Sequence, residues 1–284
     1  MELREYANGI WGGTTLQAKL APPEVPLTDL EPGTCSGPRA PGRPPELQVV
    51  TDRRKKRKIP SIEGMADPAQ RLRILHGFAN HELQAVELFA WALLKFPGAP
   101  RAFRKGLLAI LVEEQKHLRL YLDRLAALGG RFGAEPLSGY FLNKAENITS
   151  PAGFCASVGL TFEGANLDHA LEFAKAAREA NDPETAAVLD EIHDDEVGHV
   201  RFGWTWLRHF KEPGDSVLDA YRKNVVWPLR PALARGPVFH PESRRQAGLD
   251  DQFIELLAQA ERPAALYHFG RSGRSGRPGG SDGE

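Results

Sequence analysis

The chain has 284 residues and only two cysteines, Cys35 and Cys155, which lie 120 positions apart. That excludes a disulfide framework and leaves no Cys-x-x-Cys pairs for a rubredoxin-type electron centre. It favours a reducing compartment. No stretch reaches the 18 or so uninterrupted apolar residues of a membrane span. A formal net charge of −1 gives no overall attraction to nucleic acid or to an anionic membrane. The opening MELREYANGIWGG has no basic start followed by an apolar run, so no signal peptide is expected. A cytoplasmic protein is the expectation.

Apolar content is ordinary at 42 %, enough for a sizeable core. Residues 1–66 read as a proline-rich N-terminal arm. Within it, residues 21–48 lack apolar periodicity, and RRKKRK follows at 53–58. That basic run is either a solvated arm or a holder of phosphate, which leaves RNA as a candidate partner. Residues 264–284, glycine- and serine-rich, have nothing with which to build a core and are expected to be disordered.

Between them, residues 67–211 carry four long helical patterns, expected at 68–96, 100–127, 151–180 and 183–210. Asp67–Pro68, Ser150–Pro151 and Asp182–Pro183 each offer a capping oxygen followed by proline in the first turn. Gly129–Gly130 marks the end of the second. Short links join the first helix to the second and the third to the fourth, and more than 20 residues separate the pairs. Two hairpins with one long crossover is an all-α, four-helix arrangement of the ferritin-like kind. Residues 212–263 are expected to add shorter accessory helices at DSVLDAYRKNVV and DDQFIELLAQAE.

The second and fourth helices share a motif. EEQKHLR at 113–119 and DEVGHVR at 195–201 both read acid-Glu-x-x-His-x-Arg. Glu and His three apart share a helix face, so Glu114 pairs with His117 and Glu196 with His199. One helix upstream, Glu82 precedes Glu114 by 32 residues and Glu163 precedes Glu196 by 33. Glu87 is a competing choice for Glu82, but it is only 27 residues before Glu114. The twofold repeat therefore offers four carboxylates and two imidazoles, the donor set of dinuclear carboxylate bundles. Four negative charges match two divalent ions, and one imidazole per ion suits iron or manganese.

Neighbouring residues carry alternatives. Glu113 and Asp195 are either acceptors for the outer N–H of a ligand imidazole on the other hairpin or solvated acids. Arg119 and Arg201 are expected to pair with interhelical acids such as Glu87 or Asp168. Tyr121, seven residues after Glu114, is either a core tyrosine or a hydrogen-bond and electron donor near the ligands. Its counterpart is Gly203, which hints at an open pocket on one side. His81, His193 and Cys155 read as packing or outer groups.

These motifs resemble the ferritin-like di-iron carboxylate superfamily. Their wording resembles a bacterial family designated domain of unknown function 455. The resemblance covers residues 67–211 most closely. It implies the metal ligands Glu82, Glu114, His117, Glu163, Glu196 and His199, with none missing. More distantly, the chain is similar to a bacterial tRNA hydroxylase. The implied cofactor is two Fe ions or a Mn/Fe pair. The expected activity is a non-heme oxidase or oxygenase acting with dioxygen, an external electron donor and a small-molecule substrate, in a possible homo-oligomer. Iron handling, peroxide removal and tRNA modification are the alternatives.

Overall fold

The computed structural model describes residues 1–35, 40–52 and 57–261. Among them there is no β-strand, only isolated bridges at Glu2–Thr28 and Val49–Leu137. The protein is all-helical. No helix of the described residues is long and apolar enough to cross a membrane.

In chain order the helices are α1 (Leu3–Gly12), α2 (Leu16–Leu20), α3 (Pro68–Lys95), α4 (Arg101–Ala127), α5 (Tyr140–Ala145), α6 (151–179), α7 (Pro183–Phe210), α8 (Val217–Asn224), α9 (Pro241–Gln246) and α10 (Asp251–Gln259). Three of the four long ones start where the capping signals place them, and α4 starts at Arg101, after Pro100. Asp67, Ser150 and Asp182 each accept a hydrogen bond from the backbone N–H three residues on. After α4, the Gly130 N–H donates to Leu125 O at 2.8 Å and Gly129 takes a φ of 78°. That is the left-handed stop a glycine makes without steric cost.

Side-chain contacts fix how the hairpins meet. Asp182, in the turn between α6 and α7, pairs with Arg71 in the first turn of α3 at 2.8 Å. It also pairs with Arg124 in the last turn of α4 at 2.6 Å. At the opposite pole, Phe103 near the start of α4 packs on Phe202, Trp206 and Phe210 of α7 at 5.3, 5.1 and 5.3 Å. The turn of each hairpin thus lies at the open end of the other. Residues 128–150 must run from pole to pole, and they do so along α3. Asn80 donates to Ser138 O at 3.0 Å, and the Phe141 N–H donates to Gln84 Oε1 at 3.0 Å.

Apolar side chains form two clusters. One holds Phe89, Phe103, Phe154, Val200 and Leu207; the other holds Ile74, Leu118, Leu125, Phe173 and Leu189. Glu82, Glu114, His117, Glu163, Glu196 and His199 occupy heights between them, so a polar layer divides the apolar interior. The clusters hold the helices together, and the polar layer sits where all four pass.

Three features depart from the sequence reading. First, the N-terminal segment is not simply an extended arm. α1 buries Leu3, Tyr6, Ala7, Ile10 and Trp11, and the buried Lys19 and Arg43 converge on Glu87 at 3.2 and 2.5 Å. Second, residues Cys155–Phe162 of α6 form a π-helix. Thr161 Oγ1 donates to Ala156 O at 2.8 Å and meets Tyr221 Oη at 2.9 Å. Gly159 lies so close to Gly203 of α7 that a Cβ on Gly159 would sit 2.9 Å from the Gly203 Cα. The space at Gly203 is therefore filled by backbone and is not a pocket. Third, α9 was not anticipated, and its Arg244 is fully buried against Asp168 at 2.7 Å. In the basic run, residues 53–56 lie outside the described residues, while Arg57 pairs with Glu135 at 3.1 Å. The proposed disordered tail also lies outside the described residues.

Asp182 combines a helix cap with two ion pairs, and removing it strands two arginines. Asp182→Ala is expected to destabilise the fold by roughly 3 kcal/mol in urea unfolding. Asp182→Asn keeps the capping oxygen and should cost less. Equal stability of the alanine variant and the parent would contradict this role.

Candidate metal centre

Each of the four long helices brings carboxylates or imidazoles to the polar layer. Glu82 comes from α3, Glu114 and His117 from α4, Glu163 from α6, Glu196 and His199 from α7. All six are buried, with Glu114 and His117 wholly so. Two groupings result. Glu82, Glu114, His117 and Glu196 offer one ligand atom each within 4.8 Å of one another, and so do Glu114, Glu163, Glu196 and His199. Glu114 and Glu196 belong to both. Each grouping therefore has a private carboxylate and imidazole plus two shared carboxylates, a set that could hold two neighbouring cations.

Glu114 straddles the pair. Its Oε1 lies 3.1 Å from His199 Nδ1 and its Oε2 lies 3.6 Å from His117 Nδ1. Both Glu114 oxygens and His117 Nδ1 are buried without a hydrogen-bond partner. Orphaned buried polar atoms are costly in a native interior unless something absent from the chain satisfies them. Three of them facing one another, beside three more carboxylates, fit bound cations. Glu87, the competing choice for Glu82, turns to Lys19 and Arg43 instead.

The outer nitrogens of the two imidazoles are held in a reciprocal exchange. His117 Nε2 lies 3.0 Å from Asp195 Oδ2, and His199 Nε2 lies 2.8 Å from Glu113 Oε2. Each acid thus serves the imidazole of the other hairpin. An Nε2–H donated outward leaves Nδ1 as the lone pair facing the cluster. The arrangement is not fully symmetric. Asp195 also meets Lys116, whose repeat counterpart is Gly198.

Electrostatics follow from burial and crowding. Burial, with Glu114 adding to it, pushes Glu82 well above the usual carboxylate range. Burial and Glu196 do the same to Glu163. For Glu114, burial acts upward, but the two imidazoles facing its oxygens outweigh it and hold its pKa low. Burial disfavours a charged His117, yet Asp195 and Glu114 outweigh that and raise it to about 9. His199 is likewise raised, against burial, by Glu196 and Glu113. The hydrogen bond with His117 draws Asp195 down to about 2.

Other residues singled out in the sequence take different places. Arg119 donates to Leu20 O, and Arg201 Nη2 donates to Gln246 O at 2.7 Å. Neither meets Glu87 or Asp168, because those acids are taken by Lys19, Arg43 and Arg244 from the flanking segments. The arginines instead fasten those segments to the hairpins. Tyr121 is buried, with its ring 5.7 Å from Phe78, and burial together with Glu82 pushes its pKa well up. His193 Nε2 lies 2.9 Å from Ser243 Oγ. The Cys155 thiol is buried, and burial raises its pKa.

Sequence reasoning missed Asn166, whose amide donates to Glu196 Oε1 at 2.8 Å. Its signal was present: it lies three residues after Glu163, on the same helix face. A cavity of about 120 Å³ also reaches the carboxylates, lined by Phe78, Tyr121, Phe141 and Phe162 around Glu82 and Glu163.

The family model described as "Protein of unknown function (DUF455)" matches residues 14–255. The chain belongs to this family. The DUF455 match runs past the four long helices on both sides, taking in the segment after α1 as well as α8, α9 and the first half of α10. An uncharacterized protein of Haemophilus influenzae is 25 % identical over 202 residues, 68 % of this chain and 69 % of that one. No solved structure matches the chain.

Two outcomes test the centre. Cations require deprotonated ligands, and the raised Glu82, Glu163, His117 and His199 hold protons more tightly than free side chains, so metal loading should release protons in a weakly buffered pH-stat titration. Apparent affinity should fall steeply as pH drops from 9, because protons then compete for the raised groups. Metal uptake without proton release would contradict the assignment. In metal-competition titrations, Asp195→Asn and Glu113→Gln should each weaken binding by roughly 10–100-fold, because each loosens an imidazole it does not replace.

Proposed function

We propose that the two hairpins form a ferritin-like four-helix bundle around two iron ions, or a manganese–iron pair. In this reading the protein is an oxidoreductase that uses dioxygen to hydroxylate or otherwise oxidise a small organic substrate. The observation that carries the reading is the pair of overlapping ligand groups sharing Glu114 and Glu196. A single structural ion would need only one group.

The metals would supply dioxygen reduction when bound. In a hydroxylation, one oxygen atom enters a C–H bond and the other leaves as water. Two electrons and two protons come from an external donor. The chain's own part is positional. Glu114 and Glu196, common to both groupings, would contribute to holding both cations, and Glu82 with His117, and Glu163 with His199, would each serve one. Asp195 and Glu113 hold the imidazoles in one tautomer and orientation. Asn166 orients Glu196. The apolar clusters above and below keep bulk water from the layer, which strengthens every charge interaction in it.

The N-terminal segment and α8 to α10 cover the hairpins closely. A shaped covering beside a cavity that reaches the carboxylates favours an enzyme over an iron store. Anaerobic ferrous titration with metal analysis separates the two, because uptake should stop at about two ions per chain. Oxygen exposure should then produce an oxidised di-iron absorption and a matching Mössbauer change. Glu114→Ala or Glu196→Ala should abolish both while leaving helicity in place. Uptake of many ions per chain would support storage. Stoichiometric iron that never reacts with dioxygen would mean a bracing role only.

A further inference from the structure

The cavity beside the carboxylates has a chemistry of its own. Its floor is Glu82, Glu163 and Glu196, and its walls are Phe78, Leu88, Tyr121, Phe141, Val158 and Phe162. Half-buried His81, Asn166 and His169 stand at its rim. The volume is about 120 Å³. An apolar cavity of about 150 Å³ takes a benzene molecule, so this one suits a group of about four to six carbons. Carboxylates at the floor repel an anion. Once two divalent ions balance those charges, nothing in the aromatic wall asks for a charged guest.

Leu88 has a second role in the geometry. It lines this cavity and also a larger one of about 680 Å³, bounded by Trp11, Trp91, Lys95 and Leu142. Leu88 itself is buried, 2 % exposed. It is therefore a partition between an inner chamber at the carboxylates and a wider chamber behind. α5 runs along the same boundary, with Tyr140 and Phe141 on the inner chamber and Leu142 and Asn143 on the outer.

We propose that the substrate presents a neutral hydrocarbon end of about four to six carbons to the carboxylate floor, with its polar remainder at the rim, and that Leu88 sets the length admitted. This rests on the dinuclear reading above for what is done to the substrate, but not for what fits. Ala85, on α3 between Glu82 and Leu88, lines the same chamber. A larger side chain there would occupy the chamber.

The test uses the full chain loaded with ferrous ion under anaerobic conditions, so that nothing turns over. Linear primary alcohols from butanol to decanol serve as probes, with binding followed by saturation-transfer NMR and calorimetry. Affinity is expected to climb about fourfold per methylene and to level off near six carbons. In Leu88→Ala the climb should continue by at least three further carbons, as the two chambers join. Leu88→Val should lengthen it by a smaller step if the alanine variant fails to fold. Ala85→Phe should remove the climb while iron content and helicity stay at the parent level. Affinity indifferent to chain length, a plateau unmoved by Leu88→Ala and Leu88→Val, or parent-like binding by folded Ala85→Phe would each overturn the proposal. Iron is measured on the same samples. Parent protein holding about two irons with no chain-length climb overturns the pocket and leaves the dinuclear reading standing. A climb in protein that holds no iron overturns the dinuclear reading and leaves the pocket.

Discussion

Four carboxylates buried within a few ångströms of one another impose the strongest constraint in this molecule. Ionised together in an apolar interior they would repel at a cost no helical protein of this size could absorb. Burial and mutual repulsion raise Glu82 and Glu163, so without metal these carboxyls hold their protons more tightly than free ones do. Glu114 sits between the two imidazoles, its Oε1 3.1 Å from His199 Nδ1 and its Oε2 3.6 Å from His117 Nδ1. The same residues become complementary once two divalent ions stand between them. The arrangement resists collapse because each of the four carboxylates sits on a different rigid rod. Those rods are locked at their poles by Asp182 and by the aromatic cluster at Phe103.

Much of this was legible in the sequence because it rests on local chemistry. Asp67, Ser150 and Asp182 cap helices through their own side chains, so the helix starts could be read from neighbouring letters. The Glu-x-x-His pairs are set by helical periodicity, and the duplicated 32- and 33-residue intervals follow from hairpins of similar length. The acids at 113 and 195 were recognisable because both precede their motif in the same way. Whether they meet an imidazole or stay solvated was left open by the sequence, and the contacts of Asp195 with His117 and of Glu113 with His199 settle it.

The parts that were not legible depend on contacts far apart in the chain. The π-helix at Cys155–Phe162 is bound up with Tyr221 and with the close approach of Gly159 to Gly203. Nothing within the segment announces either. Arg244 meets Asp168 across 76 residues and displaces Arg201 from the role the spacing gave it. Lys19 and Arg43 do the same to Arg119 by occupying Glu87. The helix at Leu3–Gly12 is a different case. Leu3, Tyr6, Ala7, Ile10 and Trp11 show helical spacing, but the proline-rich stretch that follows made the whole segment read as extended. Those flanking segments now account for both the covering of the hairpins and the walls of the outer chamber. The DUF455 match begins at residue 14, beyond α1, and ends at residue 255, inside α10, so it takes in part of that covering.

The most direct measurement is anomalous diffraction from crystals of the protein loaded with ferrous ion without oxygen, collected at the iron edge. The account predicts two peaks about 3.5–4 Å apart. Glu114 and Glu196 should lie between them, with one imidazole Nδ1 at each. A single peak, or iron bound only on the surface with the six side chains unliganded, would contradict it.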